Sequence, residues 1–132
     1  MQIAKQINAK TENNNMNYTH EVSDSILIIR LSGDLIGEDN GASILELATE
    51  NINNGIRNCI VDISEVRYIN SSGIGVLITI LTKFRNKGGE VYLVKPSENV
   101  KKLLIITKLN AIFNIVESES EAINSLSGLS NS

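Results

Sequence analysis

The chain reads as a single α/β domain, a mixed β-sheet opened by an N-terminal hairpin and flanked by about four helices. Three observations predict this. Short apolar runs of strand length alternate with longer segments of helical period. The core material is aliphatic, with hydrophobic residues at 42% and aromatics at only 4%, so Ile, Leu and Val must fill it. A length of 132 residues suits one core, and a domain of that size buries roughly two thirds of the surface its unfolded chain exposes.

Residues 1–15 are polar, end in Asn13-Asn14-Asn15 and show no period. They are expected to be a flexible lead-in to a domain over residues 16–126. Tyr18, His20 and Val22 share one face of a strand by the two-residue period. Ser23-Asp24-Ser25 is turn chemistry, so a hairpin is expected into a second strand over residues 26–31. That strand is almost wholly apolar, as expected where both faces are covered. Residues 42–53 form a helix with Ile44, Leu45, Leu47 and Ala48 inward, stopped by Asn54-Gly55.

A short buried strand follows over residues 59–63, then a helix over residues 72–87 ended by Gly88-Gly89. Residues 91–94 make the next strand. Pro96-Ser97 opens a helix whose Val100, Leu103 and Leu104 lie on one side. Residues 112–116 are the last strand candidate, and Ser118-x-x-Glu121 is a capping box ahead of Ala122, Ile123 and Leu126. Residues 127–132, rich in Ser and Asn, are expected to be a tail. The order ββαβαβαβα requires helical crossovers, which make the strands after the hairpin parallel.

Charge and composition exclude several roles. Twelve basic and fifteen acidic residues give a net charge of −3. No basic block offers phosphates the clustered Lys and Arg that direct nucleic-acid binding or an anionic membrane surface would reward. The expected partner is a protein. Cys59 is the only cysteine, so neither an intrachain disulfide nor a cysteine-rich metal site is available, and a buried thiol in a cytoplasmic protein is expected. No stretch reaches the ~18 apolar residues of a membrane helix, and Met1-Gln2-Ile3-Ala4-Lys5 lacks the apolar centre of a secretory signal.

An enzymatic role is not expected. His20 is the only histidine, so a Cys–His nucleophile or a zinc site lacks a ligand set. A Ser–Lys pair depends on proximity in space and is invisible to spacing. Glu117 and Glu119 sit where a helix begins, and acids there suit the helix dipole. No cofactor and no metal are expected.

The informative stretch runs from Val61 to Gly75, out of a strand, through a loop and into a helix. Asn70, Ser71 and Ser72 are three good helix caps in succession, more than capping requires. Gly73 and Gly75 weaken the first helical turns by roughly 1 kcal/mol each against Ala. Either a close approach by another protein or tight packing on the sheet must offset that. Bound nucleotide is a poor explanation. Gly73-x-Gly75 lacks the third glycine of the dinucleotide fingerprint, where Ile78 stands, and Lys95 occupies the place of the ribose-binding acid.

A covalent phosphate fits better. Phosphoserine carries about −1.5 to −2 charge, which the N–H groups and dipole of a helix N-terminus tolerate. Phosphate on Ser72 would change what the surface binds without unfolding the domain, although Ser72 as a simple cap explains the same residues. In the following helix Ile74, Leu77, Ile78, Leu81 and Phe84 form the inward stripe, while Val76 and Ile80 widen the apolar arc to about 200°. That width suggests either a partner-contact patch or contact with a neighbouring helix.

The run Asp62-Ile63-Ser64 through Ile69-Asn70-Ser71-Ser72-Gly73-Ile74-Gly75 resembles the signature of STAS domains, especially the bacterial anti-sigma factor antagonists. The similarity extends from about Tyr18 to Ile123. The resemblance implies a STAS-like fold and a partner-switching mechanism. The unmodified protein would bind an anti-sigma factor that is also an ATP-dependent serine kinase. Phosphorylation of the serine before the motif glycine, here Ser72 (with Ser71 as second candidate), would release it, and a serine phosphatase would reset it. Asn70, Ser71, Ser72, Gly73, Gly75, Val76 and Ile80 are then the expected partner-binding residues.

Two departures from the family pattern stand out. Asn70 replaces the usual Asp. The acid expected after the second strand's glycine is missing, Ile36 following Gly33-Asp34-Leu35, with acids displaced to Asp34, Glu38 and Asp39. The rival role is a STAS scaffold in a transport or stress-sensing assembly whose serine is never phosphorylated. One fold serves both uses, and modification discriminates between them.

Overall fold

The computed structural model describes residues 16–130. The lead-in expected over residues 1–15 lies outside them. Ten elements follow one another: β1 (Met16–Ser23), β2 (Ile26–Leu35), α1 (Gly37–Asn53), β3 (Asn58–Ile69), α2 (Ser71–Arg85), β4 (Val91–Val94), α3 (Glu98–Ile106), a 3-10 turn (Leu109–Ala111), β5 (Asn114–Val116) and α4 (Glu119–Ser130).

The five strands form one sheet in sequence order. β1 and β2 are antiparallel, with Ser23 opposite Ile26. Asp24 and Ser25 between them both take positive φ, the backbone of a type I′ turn, whose twist matches that of the flanking strands. β3, β4 and β5 each add in parallel. This is the α/β architecture that the alternation of periods predicts.

The faces of the sheet are unequally covered. Leu27, Ile29 and Leu31 of β2, with Cys59, Val61 and Ile63 of β3, join residues of α1, α2 and α3 in the larger core. Ile26, Ile28 and Ile60 point the other way and meet only Ala122, Ile123 and Leu126 of α4, with Tyr92, Val94 and Val116 beside them. The two-residue period of strands thus distributes one apolar run between two cores. Arg30 ties the layers together, donating to Glu21 of β1 at 2.7 Å and to Glu119 of α4 at 2.8 Å.

Several boundaries differ from expectation. α1 begins five residues earlier, at Gly37. Its first turn, Gly-Glu-Asp-Asn-Gly, has loop-like composition, but Glu38 and Asp39 face the positive end of the dipole there. β3 runs on to Ile69, because β2 remains paired with it as far as Leu35 opposite Ile69, after irregularities near Ser32 and Gly33. α4 continues to Ser130, past the start of the expected tail. Ala122 and Leu126, four residues apart, anchor it on the sheet. At its start Ser118 Oγ accepts from Glu121 N at 3.0 Å, while the Glu121 carboxylate reaches Glu117 N at 3.1 Å, one residue further back than in a standard capping box.

Among the described residues no helix is long and apolar enough to cross a membrane.

Candidate functional site

The parallel pair β2–β3 delivers two helix starts to the same end of the sheet. Leu35 and Ile69 are the last paired residues, α1 starts two residues after the first and α2 two residues after the second. Asn70 N donates to Leu35 O at 3.3 Å, closing the gap between the loops.

Glycines make this closure possible at two points. A Cβ on Gly73 would lie 2.3 Å from Leu35 O, and one on Gly37 would lie 2.5 Å from Ser72 O and 2.8 Å from Ser72 Cβ. The backbone that opens α1 therefore rests directly on Ser72. Of the two explanations for Gly73, packing within the domain is the correct one. Gly75 differs: it is exposed, and nothing lies within 4 Å of where its Cβ would stand.

Asn70, not Ser72, caps α2. Its backbone is extended, and its Oδ1 accepts from Gly73 N at 2.8 Å. Ser72 sits inside the first turn, half-buried, and its hydroxyl is used otherwise. Ser72 Oγ lies 2.6 Å from Glu38 Oε1 and 3.0 Å from Asn70 Oδ1. A hydroxyl has one proton to donate. The shorter, charge-assisted bond to Glu38 takes it, within the 2.5–2.7 Å usual for O–H···O⁻. Asn70 Nδ2 donates to the same Glu38 oxygen at 3.2 Å. Hydrogen bonds from Ser72, from the backbone and from Asn70 hold the Glu38 carboxyl below its ordinary pKa, so the contact is made with a carboxylate. Ser71 is exposed and takes no part in this network.

The expected contact patch on α2 is corrected. Val76 is 6% exposed and Ile80 fully buried. The Val76 side chain packs so tightly on Gly41 of α1 that a Cβ there would lie 2.9 Å from Val76 Cγ2. The widened apolar arc serves a neighbouring helix. Ile78, expected inward, is instead exposed.

Two features of this end of the molecule carry no sequence signal. Tyr68, next to last in β3, has more than half its surface exposed. Beside it a cleft of about 230 Å³ lies between β3 and α3, lined by Arg67, Tyr68, Ile69, Asn99, Val100 and Leu103. Glu38 could be named as a displaced acid, but its contact with a serine 34 positions away could not.

Elsewhere the ionisable groups offer little chemistry. Among the described residues no three of His, Cys, Asp and Glu converge on a metal site. Cys59 is wholly buried and its thiol pKa is pushed up by that burial. His20 is held below its ordinary pKa by burial, against an opposing pull from Glu50.

The STAS domain pattern matches residues 17–122. The chain belongs to the STAS domain family. A Thermotoga neapolitana relative, provisionally named an anti-sigma factor antagonist, is 35% identical over 79 residues, covering 60% of this chain and 70% of that protein. An anti-sigma F factor antagonist of Paenibacillus polymyxa is 25% identical over 101 residues, 76% of this chain and 86% of that one. The crystal structure of TM1081 from Thermotoga maritima superposes with a TM-score of 0.73 at 26% identity, over 83% of this chain and 93% of that one. Within the STAS fold, Ser72 stands at the start of α2, at the surface, beside the start of α1.

Proposed function

We propose that this STAS domain is an anti-sigma factor antagonist that works by partner switching in the cytoplasm. Unphosphorylated, it binds an anti-sigma factor that is also a serine kinase. Phosphorylation at Ser72 ends that complex, and a serine phosphatase restores it. The kinase supplies ATP and the catalytic groups. Ser72 Oγ forms the new bond to the γ-phosphorus as the bond to the ADP oxygen breaks, and the hydroxyl proton leaves to solvent.

The observation that carries this reading is that Ser72 is not needed as a cap. Asn70 does that work, which leaves a half-exposed hydroxyl at a helix N-terminus, where an added phosphate is electrostatically tolerated. The relatives named as anti-sigma factor antagonists point the same way. The surface assigned to the partner comprises Asn70, Ser71, Ser72, exposed Gly75, and the Tyr68 cleft beside them. Gly73, Val76 and Ile80 act from beneath it.

The test is phosphate mapping by intact mass and fragmentation on protein isolated from growing and from stressed cells. Partial, condition-dependent phosphate at Ser72, with Ser72→Asp losing the partner that the unmodified chain retains, is the expected result. An unmodified serine under every condition, in a complex that Ser72→Asp leaves intact, would replace the switch with a scaffold role.

A further inference from the structure

The contact between Ser72 and Glu38 joins two elements that the chain separates by 34 residues. We propose that Glu38 senses the state of Ser72, its carboxylate accepting the hydroxyl proton of the unmodified serine and turning away from the phosphorylated one. The inference rests on Ser72 as the phosphoacceptor.

The unmodified state is the one seen: a 2.6 Å hydrogen bond from Ser72 Oγ to Glu38 Oε1, seconded by Asn70 Nδ2. Esterification removes the only proton Oγ has, so the bond cannot survive the modification. It also sets about −1.5 to −2 charge beside a carboxylate. Among the described residues no cation neutralises that pair, since none of the five salt bridges includes Glu38.

One of the two anions must give way. The phosphate is anchored to α2, whose positive end attracts it. The helix starts cannot separate freely, because Asn70 N is bonded to Leu35 O and buried Val76 of α2 packs on Gly41 of α1. The Glu38 side chain is exposed and keeps only the longer bond from Asn70 Nδ2, so it is the one that moves. The consequence is that one phosphorylation changes two groups. A surface that presented a tied carboxylate and a neutral hydroxyl now presents a phosphate and a released carboxylate, with Asp39 beside it. The first turn of α1 thereby becomes part of the surface a partner reads.

The test installs phosphoserine at position 72 of the full chain during translation, so it does not depend on whether cells phosphorylate that residue. The second ionisation of the phosphate is followed by ³¹P NMR in the otherwise unaltered chain, in Glu38→Gln and in Asp39→Asn. A carboxylate about 5 Å away in a water-like dielectric raises that pKa by about half a unit. Glu38→Gln is therefore expected to lower it by about that much, and Asp39→Asn by clearly less. In the otherwise unaltered chain, the Glu38 carboxyl carbon resonance should also move on phosphorylation. An equal non-zero shift in both variants, or an unmoved Glu38 resonance, would overturn the proposal.

Discussion

Gly73 and Gly75 lie two residues apart in one helix, yet replacing each with alanine should change stability in opposite directions. A Cβ at Gly73 would meet Leu35 O at 2.3 Å and Ile69 Cγ2 at 2.9 Å. Ordinary contact begins about 1 Å further out than the first of these. Leu35 is fully buried at the end of a paired strand, so it has nowhere to retreat, and its carbonyl also accepts from Asn70 N. Overpacking of this kind costs about 1–3 kcal/mol, and the strained hydrogen bond about 1 more. The better helix propensity of alanine returns about 1. Gly73→Ala should therefore lose about 1–3 kcal/mol. Gly75→Ala meets no atom within 4 Å and keeps only the propensity term, a gain of about 1 kcal/mol. Urea denaturation monitored by circular dichroism reads both. If Gly75 is glycine because a partner approaches it, Gly75→Ala should bind that partner more weakly while being the more stable protein. A Gly73→Ala chain as stable as the parent would refute the packing argument, and a destabilised Gly75→Ala chain would refute the assignment of open space.

Asn70→Ala removes the acceptor for Gly73 N and should cost about 1 kcal/mol in the same denaturation assay, while Asn70→Asp keeps the cap and most of the stability. Ile80→Ala should cost about 2–5 kcal/mol, as truncation at a fully buried site does, with partner affinity unchanged once the protein is folded. For His20, burial holds the folded pKa below its unfolded value near 6.5. The neutral form is favoured on folding, so its contribution is complete above pH ~6.5 and declines as pH falls toward the folded pKa. His20→Gln should flatten the urea midpoint between pH 7 and pH 5 relative to the parent, and an identical pH profile would exclude this role.

What was legible in the sequence and what was not divides along physical lines. Strand β2 could be read as buried on both faces because residues 26–31 are apolar but for Arg30, and Ile26 through Ile29 are indeed all buried. The hairpin could be read from Ser23-Asp24-Ser25, since turn chemistry is local. The start of α1 could not, because Gly37 through Gly41 have the composition of a loop, and what makes them helical is packing against α2 that lies far along the chain. Val76 and Ile80 show the same limit: periodicity gives the width of an apolar arc but not whether a partner or a neighbouring helix covers it. Asn70, Ser71 and Ser72 are nearly equal as caps by propensity. Only the backbone geometry at the end of β3 selects Asn70 and frees Ser72 for Glu38.

The two departures from the family pattern are explained by one contact. In isolation, Asn70 in place of Asp is a lost charge, and the acid missing at Ile36 is a lost partner. In the structure Asn70 Nδ2 donates to Glu38 Oε1 at 3.2 Å while Asn70 Oδ1 caps Gly73. An aspartate at position 70 would keep the cap, but it has no donor for Glu38 and would set a second negative charge against it. The displaced acid and the neutral cap are thus complementary: with Glu38 reaching Ser72 from the start of α1, a cap of α2 that is uncharged and able to donate favours the contact. Asn70→Asp should accordingly loosen Glu38 from Ser72 without any phosphate, and Asn70→Asp combined with Glu38→Gln should restore a hydrogen-bonded pair. The Glu38 carboxyl carbon resonance, followed against pH, measures the first effect. If the Glu38 pKa in Asn70→Asp stayed as low as in the parent, the complementarity would be wrong and Asn70 would matter only as a cap.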